Sequence, residues 1–501
     1  MGKSLEMQSL SIAEKKKRIE SNKQLFNWNR ILLIKPNYRS DGWDYYNLDF
    51  PPINLTYIAS YLSDLDVQVE ILDTKVNDLN FKQIKKKIKK FNPDIVGISV
   101  FVSAALKASL SIAEIVKTID PNCKVVFGGR HPTFEPDETL KSIHVDYVVR
   151  GEGELTFRDL ILNGSPENIE GISYKVNDKI IHNQDRPLIK DFKRIRVPAR
   201  HLTWNNKYKM LTVRLETVET SRGCPYSCKF CTTHIFNNNM WRPRPVDSII
   251  TELKMISHNR NITDIFFVDD NLTANTKRIE ELCDKIVECK NKKEINDFKF
   301  FAQLRVDSIV KSPQMVKKMA RAGFWVVFIG IESVNEEALK DMRKGFSFNK
   351  VLSALKILHQ NDIIVIGNLI IGVDLNSTEE DIKKEIQFMK TVDVDIVSYV
   401  ILTPFPGSET LKELEAEGLV ISKDWSKYTV FDPVIKTHQL SPKKLHELLY
   451  YSFRELKYIN TPKGLASRVI KTRGLSFVLN PKRILSLIHS FLQVRKLFKE
   501  F

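Results

Sequence analysis

What most constrains this chain is a regular alternation of short apolar runs with amphipathic segments, and the alternation occurs twice. In the second half, strand-like runs at 215–220, 264–268, 298–303, 324–331, 363–371 and 395–402 are separated by helical patterns at 246–257, 276–290, 313–322, 348–360 and 379–391. Such strand–helix repeats build parallel sheets. Six of them predict an open βα barrel with its site at the carboxyl ends of the strands. In the first half, strands at 30–35, 67–72, 94–100, 124–127 and 146–149 alternate with helices at 53–65, 81–90, 104–118 and 136–142. These short apolar runs suit a parallel sheet buried on both faces. Five strands joined by helices predict a doubly wound, flavodoxin-like sheet, which takes its ligand at the strand carboxyl ends. The expected class is therefore α/β.

The barrel's first strand runs straight into Ser221-Arg222-Gly223-Cys224-Pro225-Tyr226-Ser227-Cys228-Lys229-Phe230-Cys231. Thiolates are the usual protein ligands of iron–sulfur clusters. A cubane has four iron corners, this loop offers three thiolates, and the next cysteine is Cys283. One iron is then left open to a substrate or cofactor. The alternative is a zinc knuckle closed by His234 as a fourth ligand.

The C-x-x-x-C-x-x-C spacing, with aromatic Phe230 before the third cysteine, resembles the radical S-adenosylmethionine superfamily. That resemblance implies a [4Fe-4S] cluster on Cys224, Cys228 and Cys231. It further implies S-adenosylmethionine on the open iron, cleaved to a 5'-deoxyadenosyl radical. The strand ends match the superfamily in order. Asp269 and Asp270 close the second strand, and Gln303 and Arg305 follow the third. Gly330, Glu332 and Ser333 close the fourth, Gly367–Gly372 belongs to the fifth, and 403–408 follows the sixth. The resemblance assigns S-adenosylmethionine contacts to Phe230, Asp269, Asp270, Gln303, Arg305, Gly330, Glu332 and Ser333.

The first half carries distinctive loops at its strand ends. Asn54 opens the first helix, Ser99 ends the third strand, and Ser103 lies just beyond. Gly128, Gly129, His131 and Pro132 follow the fourth strand, and Gly151, Glu152 and Gly153 the fifth. Glycines let backbone approach a large flat ligand. Placed before such a barrel, this domain resembles the cobalamin-binding domain of cobalamin-dependent radical enzymes, and the resemblance assigns these ten residues to cobalamin. It departs from the wider cobalamin family in one respect. The loop at 36–50 has no histidine to offer cobalt, and the first histidine in the chain is His131. Either cobalamin binds without a protein histidine ligand, as in the radical relatives, or the domain has lost cobalamin.

These readings divide the chain into a charged arm (1–29), a cobalamin-binding-like domain (30–160), a linker (161–210), a partial barrel (211–415) and a helical C-terminal region with a basic tail (416–501). The linker includes a hairpin at 171–183 that turns near Asn177-Asp178. Its stretch 185–201 is polar and contains proline.

The formal charge is +16, and the last forty residues hold nine Lys/Arg against one acid, 9 − 1 = +8. The tail's apolar residues, Ile484 to Phe498, fall on helical spacing. Such a helix suits an anionic membrane surface, and it equally suits packing on the barrel. Nucleic acid ranks lowest, because no RNA-binding module is recognisable. No apolar run is long enough to span a bilayer. Cys123, Cys283 and Cys289 read as buried packing. Six cysteines in 501 residues without a secretory segment argue against a disulfide framework, and for a reducing, cytoplasmic setting, with the membrane's inner face as an option.

By architecture the nearest subfamily includes anaerobic porphyrin-ester cyclases and the methylases and ring synthases of membrane lipids. The resemblance implies an enzyme that modifies an unactivated carbon of a hydrophobic substrate, a lipid first, by methyl transfer. It would take electrons from an external donor. Radical carbon–carbon bond formation or oxidative cyclisation is the alternative. An RNA methylthiotransferase or a non-catalytic cobalamin-binding protein ranks below both.

Overall fold

Both sheets foreseen from the alternation form. The computed structural model describes residues 28–37, 49–210, 213–456 and 462–480. The chain divides into two compact units, one built on residues 52–189 and one on residues 207 onward; 196–206 belongs to the first and 190–195 to the second.

In the first unit, β1 (Arg30–Lys35), β2 (Gln68–Asp73), β3 (Ile95–Ser99), β4 (Lys124–Gly128) and β5 (Tyr147–Val149) run parallel in the order β2-β1-β3-β4-β5. That is a doubly wound sheet with its switch point between β1 and β3. Side chains alternate across a strand, so Ile31 and Leu33 meet Leu55, Phe157 and Leu160 on one face while Leu32 and Ile34 point to the other. The hairpin read as part of the linker instead extends this sheet. Its strands β6 (Ile172–Val176) and β7 (Lys179–His182) are antiparallel, and β6 pairs with β5, setting Tyr174 opposite Tyr147. Pairing covers an edge strand that would otherwise be open, and Ile172 and Tyr174 join the core. Asn177 (φ 48°) and Asp178 (φ 64°) supply the two left-handed residues of a tight hairpin turn.

The stretch 185–201 is anchored at several points. Within the first unit, Arg196 and Arg158 reach Asp64 at 2.9 and 2.6 Å. Within the second, the Phe192 ring lies under the guanidiniums of Arg222 and Arg242, at 5.4 and 4.9 Å.

The second unit is built on six parallel strands. They are β9 (Val213–Val218), β12 (Asp264–Phe267), β13 (Lys299–Leu304), β14 (Phe324–Glu332), β15 (Ile364–Ile371) and β16 (Ile396–Ile401), side by side in that order. β8 (Lys209–Met210) adds an antiparallel edge beside β9, and β10 (Ser221–Arg222) pairs separately with β11 (Arg242–Pro243). The helices Val246–Ser257, Thr276–Asn291, Pro313–Ala322, Phe348–Gln360 and Glu379–Met389 cover one face. On that face Phe267, Phe300 and Phe324 cluster, with ring centroids 5.3, 5.1 and 5.5 Å apart in pairs. The neighbouring residues Phe266, Phe301 and Trp325 turn to the other face and form a separate core with Leu465, Val469 and Phe477.

Those last three residues come from the C-terminal region. The helix Pro462–Arg473 packs on the barrel through Leu465 and Val469, the short helix Leu475–Val478 adds Phe477, and the longer helix is tied down by charge. Arg473 Nη2 lies 2.9 Å from Asp264, Arg468 Nε 3.0 Å from Asp395, and Lys471 Nζ 2.8 Å from Asp362. The three acids stand at the amino ends of strands, on the face of a βα barrel that serves stability. The described part of the basic tail is therefore a barrel-packing element. Residues 481–501, which hold the apolar positions 484–498, lie outside the described residues, as do 1–27 of the charged arm and 38–48 of the first loop. Cys123, Cys283 and Cys289 are buried, and burial pushes the Cys123 thiol up to about 12. Among the described residues, no helix is long and apolar enough to cross a membrane.

Candidate functional site

Strand β9 delivers the cysteine loop, and Asp269, just past β12, fixes the delivery point. The Asp269 carboxylate is fully buried. It accepts hydrogen bonds from Thr220 N (3.0 Å), Thr220 Oγ1 (2.7 Å) and Ser221 Oγ (2.5 Å). Burial raises its pKa against these donors. Gly223 follows with φ 88°, and a Cβ there would collide with the Met240 carbonyl, so glycine is required immediately before Cys224.

The loop then brings its thiols among nitrogen donors. Asn271 Nδ2 points at Cys224 Sγ and Arg305 Nη1 at Cys228 Sγ, both at 3.8 Å. Cys231 N donates to Cys228 O at 3.0 Å, closing the turn. Burial raises the Cys224 thiol's pKa, while the Tyr226 backbone and Asn271 oppose the rise. His234 is buried near Glu409 and Arg343. Among the described residues, no three His, Cys, Asp or Glu side chains converge as they would on a single metal ion. A cubane places each thiolate on its own iron, so three thiols in one loop, with nitrogen donors aimed at two of them, fit a cluster.

Around the thiols stand the other residues read from the strand ends. Arg305 lies over the Tyr226 ring at 3.5 Å and pairs with Asp307 at 3.0 Å. Burial disfavours its charge, but Asp307 outweighs burial and holds its pKa above the ordinary value. Glu332 takes φ 65°, uncommon for a residue with a side chain. Its carboxylate pairs with Lys344 at 2.8 Å, both side chains under one-tenth exposed. A Cβ on Gly330 would overlap that carboxylate, so the glycine makes room for the pair. Lys344 Nζ also lies 5.7 Å from the Phe230 ring centroid. Ser333 Oγ donates to Glu385 at 2.8 Å, in a buried network completed by Tyr399. Burial raises the pKa of Glu385. Asp270 is exposed and accepts from Thr233 at 3.0 Å, and Gln303 is exposed on β13. Nothing in the sequence gives a role to Tyr226, Asn271, Asp307, Lys344 or Glu385. Tyr226 lies inside the cysteine loop and Asn271 follows Asp270 directly, while Lys344 gives no signal beyond a run of charges.

In the first unit the glycine loops gather at the carboxyl edge of the parallel strands. Asn54 Nδ2 donates to Ser99 Oγ at 2.6 Å, joining the first helix to the end of β3. His131 Nδ1 and Ser103 Oγ are 3.0 Å apart, and both residues are buried, as is Pro132. Burial lowers the His131 pKa to about 4, so the ring is neutral near pH 7. Glu152 accepts from Ile189 N at 2.7 Å. Gly129 (φ 112°) passes so close to Val100 that a Cβ would sit 2.7 Å from its carbonyl, while a Cβ on Gly151 would meet only open space. Phe101, past the end of β3, is 54% exposed with Arg130 5.1 Å over its ring. Open space at a glycine, an exposed aromatic and a glycine-rich turn at one sheet edge fit a broad, flat corrin.

Comparison with known proteins agrees with both domains. The model described as B12 binding domain matches residues 44–161, and the Radical SAM superfamily model matches residues 218–389. The chain is 34% identical to an uncharacterized methyltransferase of Pyrococcus horikoshii over 89% of this chain and 95% of that protein. It is 26% identical to the anaerobic magnesium-protoporphyrin IX monomethyl ester cyclase of Rubrivivax gelatinosus, over 85% of this chain and 77% of that protein. The solved radical S-adenosylmethionine methyltransferase TsrM of Kitasatospora setae, with cobalamin and a [4Fe-4S] cluster bound, shares the fold. Its TM-score is 0.65 at 16% identity, over 83% of this chain and 84% of that one. The cofactors are thus a [4Fe-4S] cluster, S-adenosylmethionine and cobalamin, and the chain belongs to the cobalamin-binding radical S-adenosylmethionine enzymes.

Proposed function

We propose that this enzyme transfers a methyl group to an unactivated carbon of a hydrophobic substrate, with membrane lipids as the first class to test. One observation carries the reading: a cysteine-loop half-barrel and a glycine-edged cobalamin sheet occur in one chain, 34% identical to a methyltransferase along 95% of that protein's length. When bound, the cluster with S-adenosylmethionine supplies a carbon-centred radical, and cobalamin supplies a transferable methyl group. The chain's own residues position and enclose. Asp269 holds the start of the cysteine loop, and Cys224, Cys228 and Cys231 serve as ligands. The Lys344–Glu332 pair offers fixed charges of both signs, and Phe230 beside it helps to exclude water. Gly129 lets the turn after β4 close against Val100, and Gly151 leaves open space at the cobalamin sheet's edge for its ligand.

The lipid assignment is supported by the sequence of the last residues, where the apolar side chains of 484–498 are bracketed by Lys482 and Arg483 on one side and by Arg495, Lys496 and Lys499 toward the other. A basic amphipathic segment favours anionic headgroups with an apolar interior beneath. It would hold the protein at the cytoplasmic face of the membrane, with electrons coming from a separate one-electron donor.

The test is anaerobic turnover of the reconstituted protein with a lipid extract, following 5'-deoxyadenosine and S-adenosylhomocysteine by mass spectrometry. Methylation raises both in step and adds one CH₂ to a lipid. 5'-Deoxyadenosine rising alone, with loss of hydrogen from the substrate, would replace methyl transfer with cyclisation. That second reading has its own support in the similarity to the Rubrivivax gelatinosus cyclase.

A further inference from the structure

The Arg305 guanidinium is held on three sides. Its Nε pairs with Asp307 Oδ1 at 3.0 Å, its Nη2 donates to the Lys344 carbonyl at 2.6 Å, and its plane lies over the Tyr226 ring at 3.5 Å. What remains free to point elsewhere is Nη1, and it points at Cys228 Sγ at 3.8 Å. Asn271 Nδ2 approaches Cys224 Sγ at the same distance. Arg305 is also an electrostatic neighbour of the Cys224 thiol. Two of the three cysteines thus have a side-chain N–H donor, and one donor is a permanent cation that cannot rotate away.

We propose that Arg305 is a positioning residue for the cluster's charge, and that its hydrogen bond to the Cys228 sulfur makes the cluster easier to reduce. This rests on the reading that the three cysteines hold the cluster. When the cluster takes one electron from an external donor, negative charge grows on its sulfurs. A hydrogen bond and a cation at one of those sulfurs stabilise the reduced form more than the oxidised form, and so raise the potential. The half-buried setting weakens solvent screening of that interaction. Asp307 takes the Nε edge and leaves Nη1 for the sulfur. A lysine at 305 would keep the charge but not the planar fork that satisfies carboxylate, carbonyl and sulfur together.

The test is an EPR-monitored redox titration of the reconstituted full chain, without S-adenosylmethionine, using dithionite or titanium citrate as the reductant. The midpoint should move to more negative potential in Arg305→Gln, less far in Arg305→Lys, and less again in Asn271→Ala. Wild-type protein carrying nitrogen-15 in its arginine guanidinium groups should show a weak nitrogen-15 coupling to the reduced cluster, absent from Arg305→Lys. Unchanged midpoints in both Arg305 variants at full cluster content would overturn the proposal. So would the absence of arginine coupling in the wild type, which decides the matter alone if the variants assemble no cluster. A failure of the cluster reading looks different: the wild type gives no cubane signal, or Cys228→Ala keeps an unaltered one.

Discussion

Lys344 Nζ stands 2.8 Å from Glu332 Oε1 at the end of β14, in a space that exists because residue 330 has no side chain. Removing one partner of a buried ion pair strands the other charge and typically costs about 3–5 kcal/mol. Lys344→Met should therefore lower the unfolding free energy, read from urea titration, by that order, and Glu332→Gln combined with it should recover most of the loss. Gly330→Ala should mimic the single variant, because the added methyl displaces the carboxylate from its partner.

Asp269 carries a different burden. Its carboxylate takes three hydrogen bonds from Thr220 and Ser221 at the entry to the cysteine loop. Asp269→Ala leaves those donors without their acceptor, a loss of about 2–3 kcal/mol on ordinary values for charged hydrogen bonds. Iron and sulfide content after reconstitution should fall with it. Full occupancy would mean that the loop holds its shape unaided.

At the edge of the first sheet, Gly129→Ala sets a Cβ against the Val100 carbonyl at 2.7 Å, from a backbone with φ 112°. Loss of cobalamin should follow, read from the visible spectrum of the purified protein. The cluster's absorbance should persist, since its loop lies in the other unit.

Burial holds the His131 pKa at about 4, against an ordinary 6.5. Between those values the unfolded chain binds a proton that the folded chain refuses, so stability rises with pH across that window and is flat on either side. The span corresponds to about 3 kcal/mol at most. Urea midpoints measured from pH 4 to 7.5 should climb in the wild type and climb less in His131→Gln, which has nothing to titrate. Parallel curves would mean that the ring is protonated without unfolding.

How far the sequence foretold this arrangement depends on how local each signal was. Strand and helix positions came through to within a few residues, because side-chain periodicity is set by each element's own burial. The cysteine loop was legible for the same reason, being one contiguous stretch. The hairpin at 171–183 was legible as a hairpin, but its pairing with β5 was not, since Tyr147 and Tyr174 meet only after the chain has folded back. Lys344 was hidden for a related reason. It ends the run Lys340-Asp341-Met342-Arg343-Lys344, which reads as solvated surface, and only the missing side chain at Gly330 opens a buried place for it. The segment after β12 was marked through Asp269 and Asp270. In the fold Asp269 turns inward to Thr220 and Ser221, while Asn271 two residues on faces a cysteine.

The docking of helix Pro462–Arg473 alters what the chain's basicity can do. Counted along the sequence, the last forty residues carry an excess of eight positive charges. Folded, three of those charges stand against Asp264, Asp362 and Asp395, acids the count had credited to distant segments. That leaves at most 8 − 3 = 5 for any long-range field the tail projects. Attraction to an anionic surface would then be weaker, and more easily screened by salt, than the linear tally implies. A truncation before Pro462, meant to remove a sticky basic end, would at the same time strip the barrel floor of its counter-ions.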